Sequence, residues 1–161
     1  MKNVKITKDK VIATLKAIHQ LVKQDVLVGI PQNADERPDG SPITNAEIGY
    51  LMENGSPANN IPARPHLVPG VERAEKQIGI QLKKGASAAM DGNQAGVMDA
   101  LNAAGLVAQN SVRAEITSVL PPPLKPGTLA ARKRRGRTGT VPLIDIGRYR
   151  NAQTYVIRKK T

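Results

Sequence analysis

Residues 67–116 read "LVPGVERAEKQIGIQLKKGASAAMDGNQAGVMDALNAAGLVAQNSVRAEI". Leu67, Val71, Ala74, Ile78 and Leu82 recur in steps of three and four, which predicts a long helix running to about Ala89 with that stripe toward the core. "MDGN" at 90–93 supplies a turn, and Asn93 is placed to cap the next helix through its side-chain oxygen. Beyond it, Val97, Leu101, Ala104, Ala108, Val112 and Ile116 keep one helical face. The many alanines and Gly105 leave room for another helix to come close. Two long helices joined by so short a connection favour an antiparallel hairpin.

Upstream, Val11, Leu15, Ile18 and Val22 predict an amphipathic helix over residues 8–23, with those four on its buried face and His19 beside it. "DVLVGIP" at 25–31 is short, rich in β-branched residues and stopped by Pro31, as a strand is. "QNADERPDGSP" at 32–42 has the residues of an exposed loop. Thr44 precedes Glu47 by three, the spacing of a capping box, so a helix starts there; Ile48, Leu51 and Met52 form its apolar stripe and Gly55 closes it as a left-handed cap. Downstream, "LPPPLKPG" ends helical structure. A one-turn helix follows Asp145, and a strand from about Thr154 puts Tyr155 and Ile157 on one face. The expected fold is α+β: a small antiparallel sheet packed against a long helix hairpin, with an extended basic loop. All 161 residues fit one domain, and no repeat of fixed period is present.

The chain has no Cys, Phe or Trp, and its three tyrosines are Tyr50, Tyr149 and Tyr155. Disulfides, thiolate metal sites and thiol catalysis are therefore excluded, and the core must be aliphatic and alanine-rich. "MKNVKITKDKVIATLK" never reaches the apolar run of a signal peptide, and no stretch of about 18 consecutive apolar residues occurs. The expectation is a soluble protein not exported by a cleaved signal. The net charge of +11 is unevenly placed: up to Ser118, 13 Lys and Arg face 12 Asp and Glu, whereas from Val119 onward 11 basic residues face Asp145 alone. Such asymmetry points to a polyanion or a solvated arm.

Two stretches could carry chemistry. In "NIPARPHLVPG" at 60–70, Pro62 and Pro65 stiffen the chain around Arg64, and an arginine at a helix start can hold an anion. His66 could titrate near neutrality, but no second His or Cys lies at metal-ligand spacing. The favoured reading is a chain corner, with Ile61 and Leu67 anchored in the core and Arg64 bonded to nearby carbonyls or an acid. Glu72 and Glu75 alternate with Arg73 and Lys76, the look of a solvated helix face. No phosphate loop, calcium loop or nucleophile elbow appears. No catalytic residue, cofactor site or metal site is expected, and the chain reads as a non-enzyme.

The second stretch is "TLAARKRRGRTGT", read as part of a mobile loop over about 121–142. Its Arg132, Lys133, Arg134, Arg135 and Arg137 are the best binding candidates. If all five met phosphates, affinity would fall with log salt at a slope of roughly −4 to −5. No aromatic interleaves them, which favours sequence-blind contact with duplex backbone over base stacking. A solvated loop, or an arm meeting an acidic protein neighbour, fits the same residues.

"MENGSPANNIPARPHLVPGVE" resembles a pattern of the neck and tail-completion proteins of tailed bacteriophages, including the family labelled minor tail component or virion morphogenesis protein: a short helix ending in Gly, Ile-Pro-Ala-Arg-Pro, an apolar or aromatic pair, and a long helix. "PPPLKPGTLAARKRRGRTGTVPLIDIGRYRNAQTYVIR" is similar to the C-terminal block of the same family. The resemblance covers roughly residues 45–75 and 119–158, in the same order. It departs at Ile146, Tyr149, Ala152 and His66, where the family usually has Thr, Leu, Ser and Phe.

The resemblance implies a virion structural protein at the head–tail junction, assembled in the host cytoplasm: a homo-oligomeric ring, expected to be sixfold, between portal or head-completion proteins and the tail terminator or tail tube, with double-stranded DNA passing non-specifically and no membrane. It implies architectural roles for Asp145, as a cap of the short helix, and for Gly147, as a residue of unusual backbone angles. Ile61, Pro62, Arg64, Pro65 and Leu67 become a structural joint or subunit interface. The alternative is a small cytoplasmic nucleic-acid-binding protein with an arginine-rich arm.

Overall fold

The computed structural model describes residues 9–31, 43–118 and 120–160. The loop read at 32–42 lies outside them. In chain order the elements are α1 (Val11–Val22), β1 (Gln24–Gly29), α2 (Asn45–Asn54), a 3-10 turn (Pro57–Asn59), α3 (Leu67–Met90), α4 (Gln94–Thr117), α5 (Pro126–Arg134), α6 (Arg148–Ala152) and β2 (Thr154–Lys159). The fold is α+β, with a two-stranded antiparallel sheet packed against the α3–α4 hairpin.

The hairpin follows from small residues at its seam. A Cβ on Gly70 would stand 2.7 Å from the Val112 backbone, and one on Gly85 would stand 3.0 Å from the Ala100 Cβ, so α3 and α4 run antiparallel at close range. Asn93 caps α4 as expected, its Oδ1 accepting the Gly96 N–H at 2.9 Å. Val97, Leu101, Ala104, Ala108, Val112 and Ile116 are all buried. Gly105 has a different role from the expected one. It admits the Tyr155 ring of β2 rather than a helix, and a Cβ there would lie 2.3 Å from that ring. On α3 the stripe is carried to its end by Gly85 and Ala89, while Leu82 is exposed.

The sheet pairs Gln24 with Lys159 through Gly29 with Thr154. Val26, Val28 and Ile157 point inward to the core and Tyr155 lies against α4, while the outer pair Leu27 and Val156 stays exposed. Two strands alone are marginal in water. Packing on α4 is what holds them. One core cluster gathers Ala17, Ala89, Val97 and Leu101; the other gathers Val112, Ile116, Leu120, Leu143 and Tyr149, so α4 threads both.

Two expectations are corrected. On α1 the inward residues are Ala17, Ile18 and Leu21, whereas Val11, Leu15 and Val22 are each 61–64% exposed, beside Ile12 at 70%. The helix is apolar on two sides, and the side bearing the small Ala17 fits the hairpin. The basic stretch is also no loop throughout. Pro126 opens α5 at its first turn, Ala, Leu, Arg and Lys propagate it, and Gly136 follows its end at φ +72°. Arg132, Lys133 and Arg134 fall in the last turn, where the helix dipole favours cations.

Candidate functional site

The 61–67 stretch joins α2 to α3. Gly55 closes α2 at φ +75°, and a Cβ there would meet the Ala63 backbone nitrogen at 2.8 Å. Ser56 and Ile61 exchange backbone hydrogen bonds across the 3-10 turn. Leu67 packs on the core as expected. Ile61 is half-buried outside both clusters, with Pro62 half-buried and Pro65 exposed.

Arg64 is 7% exposed and turned into its own fold. Its Nε and Nη2 donate to the Pro122 carbonyl at 3.0 and 2.8 Å, and Nη2 also reaches the Pro123 carbonyl at 3.4 Å. Its backbone N–H donates to the Met52 carbonyl. A buried guanidinium needs several acceptors, and the proline-rich segment supplies carbonyls free of ladder partners. The arginine thereby ties the α2–α3 joint to the chain just beyond α4.

Glu53, which the sequence did not single out, completes the joint. Its Oε2 accepts the backbone N–H groups of His66 and Leu67 at 2.8 and 3.0 Å, and Oε1 accepts that of Val68 at 3.1 Å. A carboxylate from α2 thus caps α3, whose own N-cap residue, His66, offers no side-chain hydrogen bond to the helix's first turn. Burial pushes the Glu53 carboxyl up, but these three N–H groups and the nearby His66 outweigh it and hold it below 4.5.

His66 is 1% exposed. Its Nδ1 lies 2.9 Å from the Arg64 carbonyl and 3.3 Å from Glu53 Oε2, and its Nε2 shares a hydrogen bond with the Tyr149 hydroxyl. Burial, then the Glu53 charge, raises the Tyr149 phenol, which keeps its proton for this bond. His66 and Tyr149 are two of the four departures from the phage pattern, and they are each other's partners. A 360 Å³ cavity adjoins them, lined also by Ala46, Gly49 and Ile30. Glu53, His66 and Tyr149 in its wall are committed to one another or to backbone, whereas the buried Gln153 Oε1, also in the wall, has no hydrogen-bond partner.

The five basic candidates separate. Arg132 is 5% exposed; Nη1 donates to the Gly139 and Val141 carbonyls at 2.8 and 3.0 Å and Nη2 to that of Pro142 at 3.2 Å. It folds the following loop back on α5 and is withdrawn from the contact set. Arg137 donates to Asp145 Oδ2, with Arg135 Nη1 4.0 Å from the same oxygen and Arg132 Nε 3.6 Å from Oδ1. Asp145 therefore does not cap α6. Three guanidiniums compete for it instead. Gly147 stands as the N-cap of α6 at φ +81°, in the left-handed region expected of it. Lys133 and Arg134 remain exposed at the end of α5.

A third arginine, Arg113 of α4, repeats the pattern, donating to the Gln153 carbonyl at 3.0 and 2.7 Å and to that of Asn151 at 3.1 Å. Between α3 and α4, Arg73 Nη1 lies 2.6 Å from the buried Glu115 Oε2, an ion pair at an angle short of a hydrogen bond. Among the described residues no group of three or more His, Asp or Glu could hold a metal, and no helix is long and apolar enough to cross a membrane.

In comparison with known proteins, no family model, no curated protein and no solved structure matches this chain.

Proposed function

We propose that this chain is a virion structural protein of a tailed bacteriophage, forming a ring at the head–tail junction that joins the capsid connector to the tail and lets DNA pass. The observation that carries the reading is that the two sequence blocks behind the resemblance build one unit. Arg64 of the first grips the Pro122 and Pro123 carbonyls of the second, and His66 of the first bonds Tyr149 of the second. Motifs some 60 residues apart that meet in space act as a joint, and a joint suits architecture.

The surface fits an assembling subunit. Val11, Ile12, Leu15 and Val22 leave an apolar strip on α1 open to solvent, and a ring requires one surface to fit a different surface on its neighbour. Lys133 and Arg134, at the tip of α5, are the residues offered to DNA or to an adjoining ring. With Arg132 spent inside the fold, contact by these two and the partly paired Arg135 and Arg137 gives a salt slope of roughly −2 to −4.

The alternative, a small nucleic-acid-binding protein with an arginine-rich arm, is separated by sedimentation of the purified protein with and without duplex DNA. Oligomers that form without DNA and have no appreciable affinity for it support the neck reading. A monomer that binds free duplex in a salt-dependent way would replace it with the alternative.

A further inference from the structure

The Asp145 carboxylate sits at the rim of a 350 Å³ pocket between α2, the end of α5 and the turn before α6. Arg132, Arg135 and Arg137 share this one carboxylate and Arg148 also lines the pocket, so positive charge is in excess there. Ile48 and Met52 line its wall beside Ile146, which is 50% exposed. Desolvating such a pocket favours an occupant that brings two carboxylates next to an apolar side chain.

The same chain carries that combination elsewhere. Val68, Glu72 and Glu75 lie at steps of four and three on α3 and so share a face over about 10 Å of helix. Val68 is 55% exposed, both glutamates are exposed, and among the described residues neither has an ion-pair partner. The cation between them in sequence, Arg73, is turned to Glu115. Strip and pocket lie on different flanks of α2: the strip begins where Val68 bonds Glu53, on the flank with Gly49 and Tyr50, whereas the pocket takes Asn45, Ile48 and Met52.

We propose that the Val68–Glu72–Glu75 strip of one copy seats in the Arg135–Arg137–Asp145 pocket of the next, two carboxylates meeting its excess of positive charge and Val68 meeting Ile146. Two different patches on different flanks make a heterologous contact, which repeats from copy to copy and closes into a ring when the rotation allows. This rests on the ring reading and names its interface.

The test is the oligomeric state of the full chain by native mass spectrometry and sedimentation. E72R/E75R changes exposed residues only, so it keeps the wild-type circular dichroism and melting curve while assembly weakens at least about tenfold, because like charges then face each other. R135E/R137E weakens assembly likewise. An equimolar mixture of the two variants reassembles, since each now offers the charge the other lacks, and the combined four-site variant reassembles alone. Wild-type protein that assembles while E72R/E75R assembles equally well overturns this interface and leaves the ring standing. Wild-type protein that stays monomeric at every concentration overturns both.

Discussion

The hairpin and the joint are built on different principles. Along α3 and α4 the contact is made by what is missing: Gly70 and Gly85 bring backbone and Cβ atoms together, and Val97, Val112 and Ile116 fill the space between. Around the joint the contact is made by long polar side chains gripping backbone. Arg64, Arg113 and Arg132 each donate to two or more main-chain carbonyls, and Glu53 collects three N–H groups. A chain without Phe or Trp has few large apolar side chains with which to pin irregular segments. Guanidiniums, buried at Arg64 and Arg132 and half-buried at Arg113, take that place, each ordering a stretch with no regular hydrogen-bond ladder.

The largest losses are expected at the arginines. Arg132→Met leaves three part-buried carbonyls without their donor and should cost about 3 kcal/mol, read as a fall in the chemical-denaturation midpoint. Arg132→Lys should recover little of this, since an ammonium cannot reproduce the planar fork. Full recovery by Lys would mean that charge alone is at work there. Arg64→Met should behave in the same way and lower the stability of the monomer itself.

At the hairpin, Gly70→Ala places a methyl against the Val112 backbone, an atom that cannot swing aside. The expected loss is about 2 kcal/mol, measured by thermal unfolding. A neutral result would show that the helices part more easily than their seam suggests.

The Glu53 cap makes stability depend on pH. Its carboxyl is held below 4.5 in the fold, so its contribution is complete above the unfolded value and is lost as pH falls through the depressed one. Glu53→Gln should therefore lower stability by about 1 kcal/mol near neutrality and flatten the decline of stability below pH 4.5. An unchanged acid limb in the variant would show that the cap is not what titrates. The smallest effect is expected from K133S/R134S, within about 0.5 kcal/mol of wild type, while DNA retention or assembly of particles is impaired. Normal particle assembly and infectivity would remove these two side chains from any functional surface.

Much of the hairpin was legible in the sequence because its partners are side chains in register: periodicity marks the buried faces, and Asn93 marks the turn. The capping box at Thr44 and Glu47 was legible for the same reason, and both of its hydrogen bonds are present. The arginine clamps were not, because a backbone carbonyl leaves no trace in composition. Five cations within six residues look like a solvated arm, yet one of them is the most buried arginine among the described residues. Asp145 was misplaced as a helix cap because its real partners, Arg135 and Arg137, lie across a turn. On α1 two apolar sides competed, and spacing alone chose the outer one. The link between His66 and Tyr149 did leave a signal, in that both residues break the same family pattern.

Negative-stain imaging of the purified protein decides whether the chain forms a ring. Closed rings of uniform symmetry with an axial channel, seen without added DNA, are expected. Monomers or irregular aggregates across the concentrations imaged would contradict the ring.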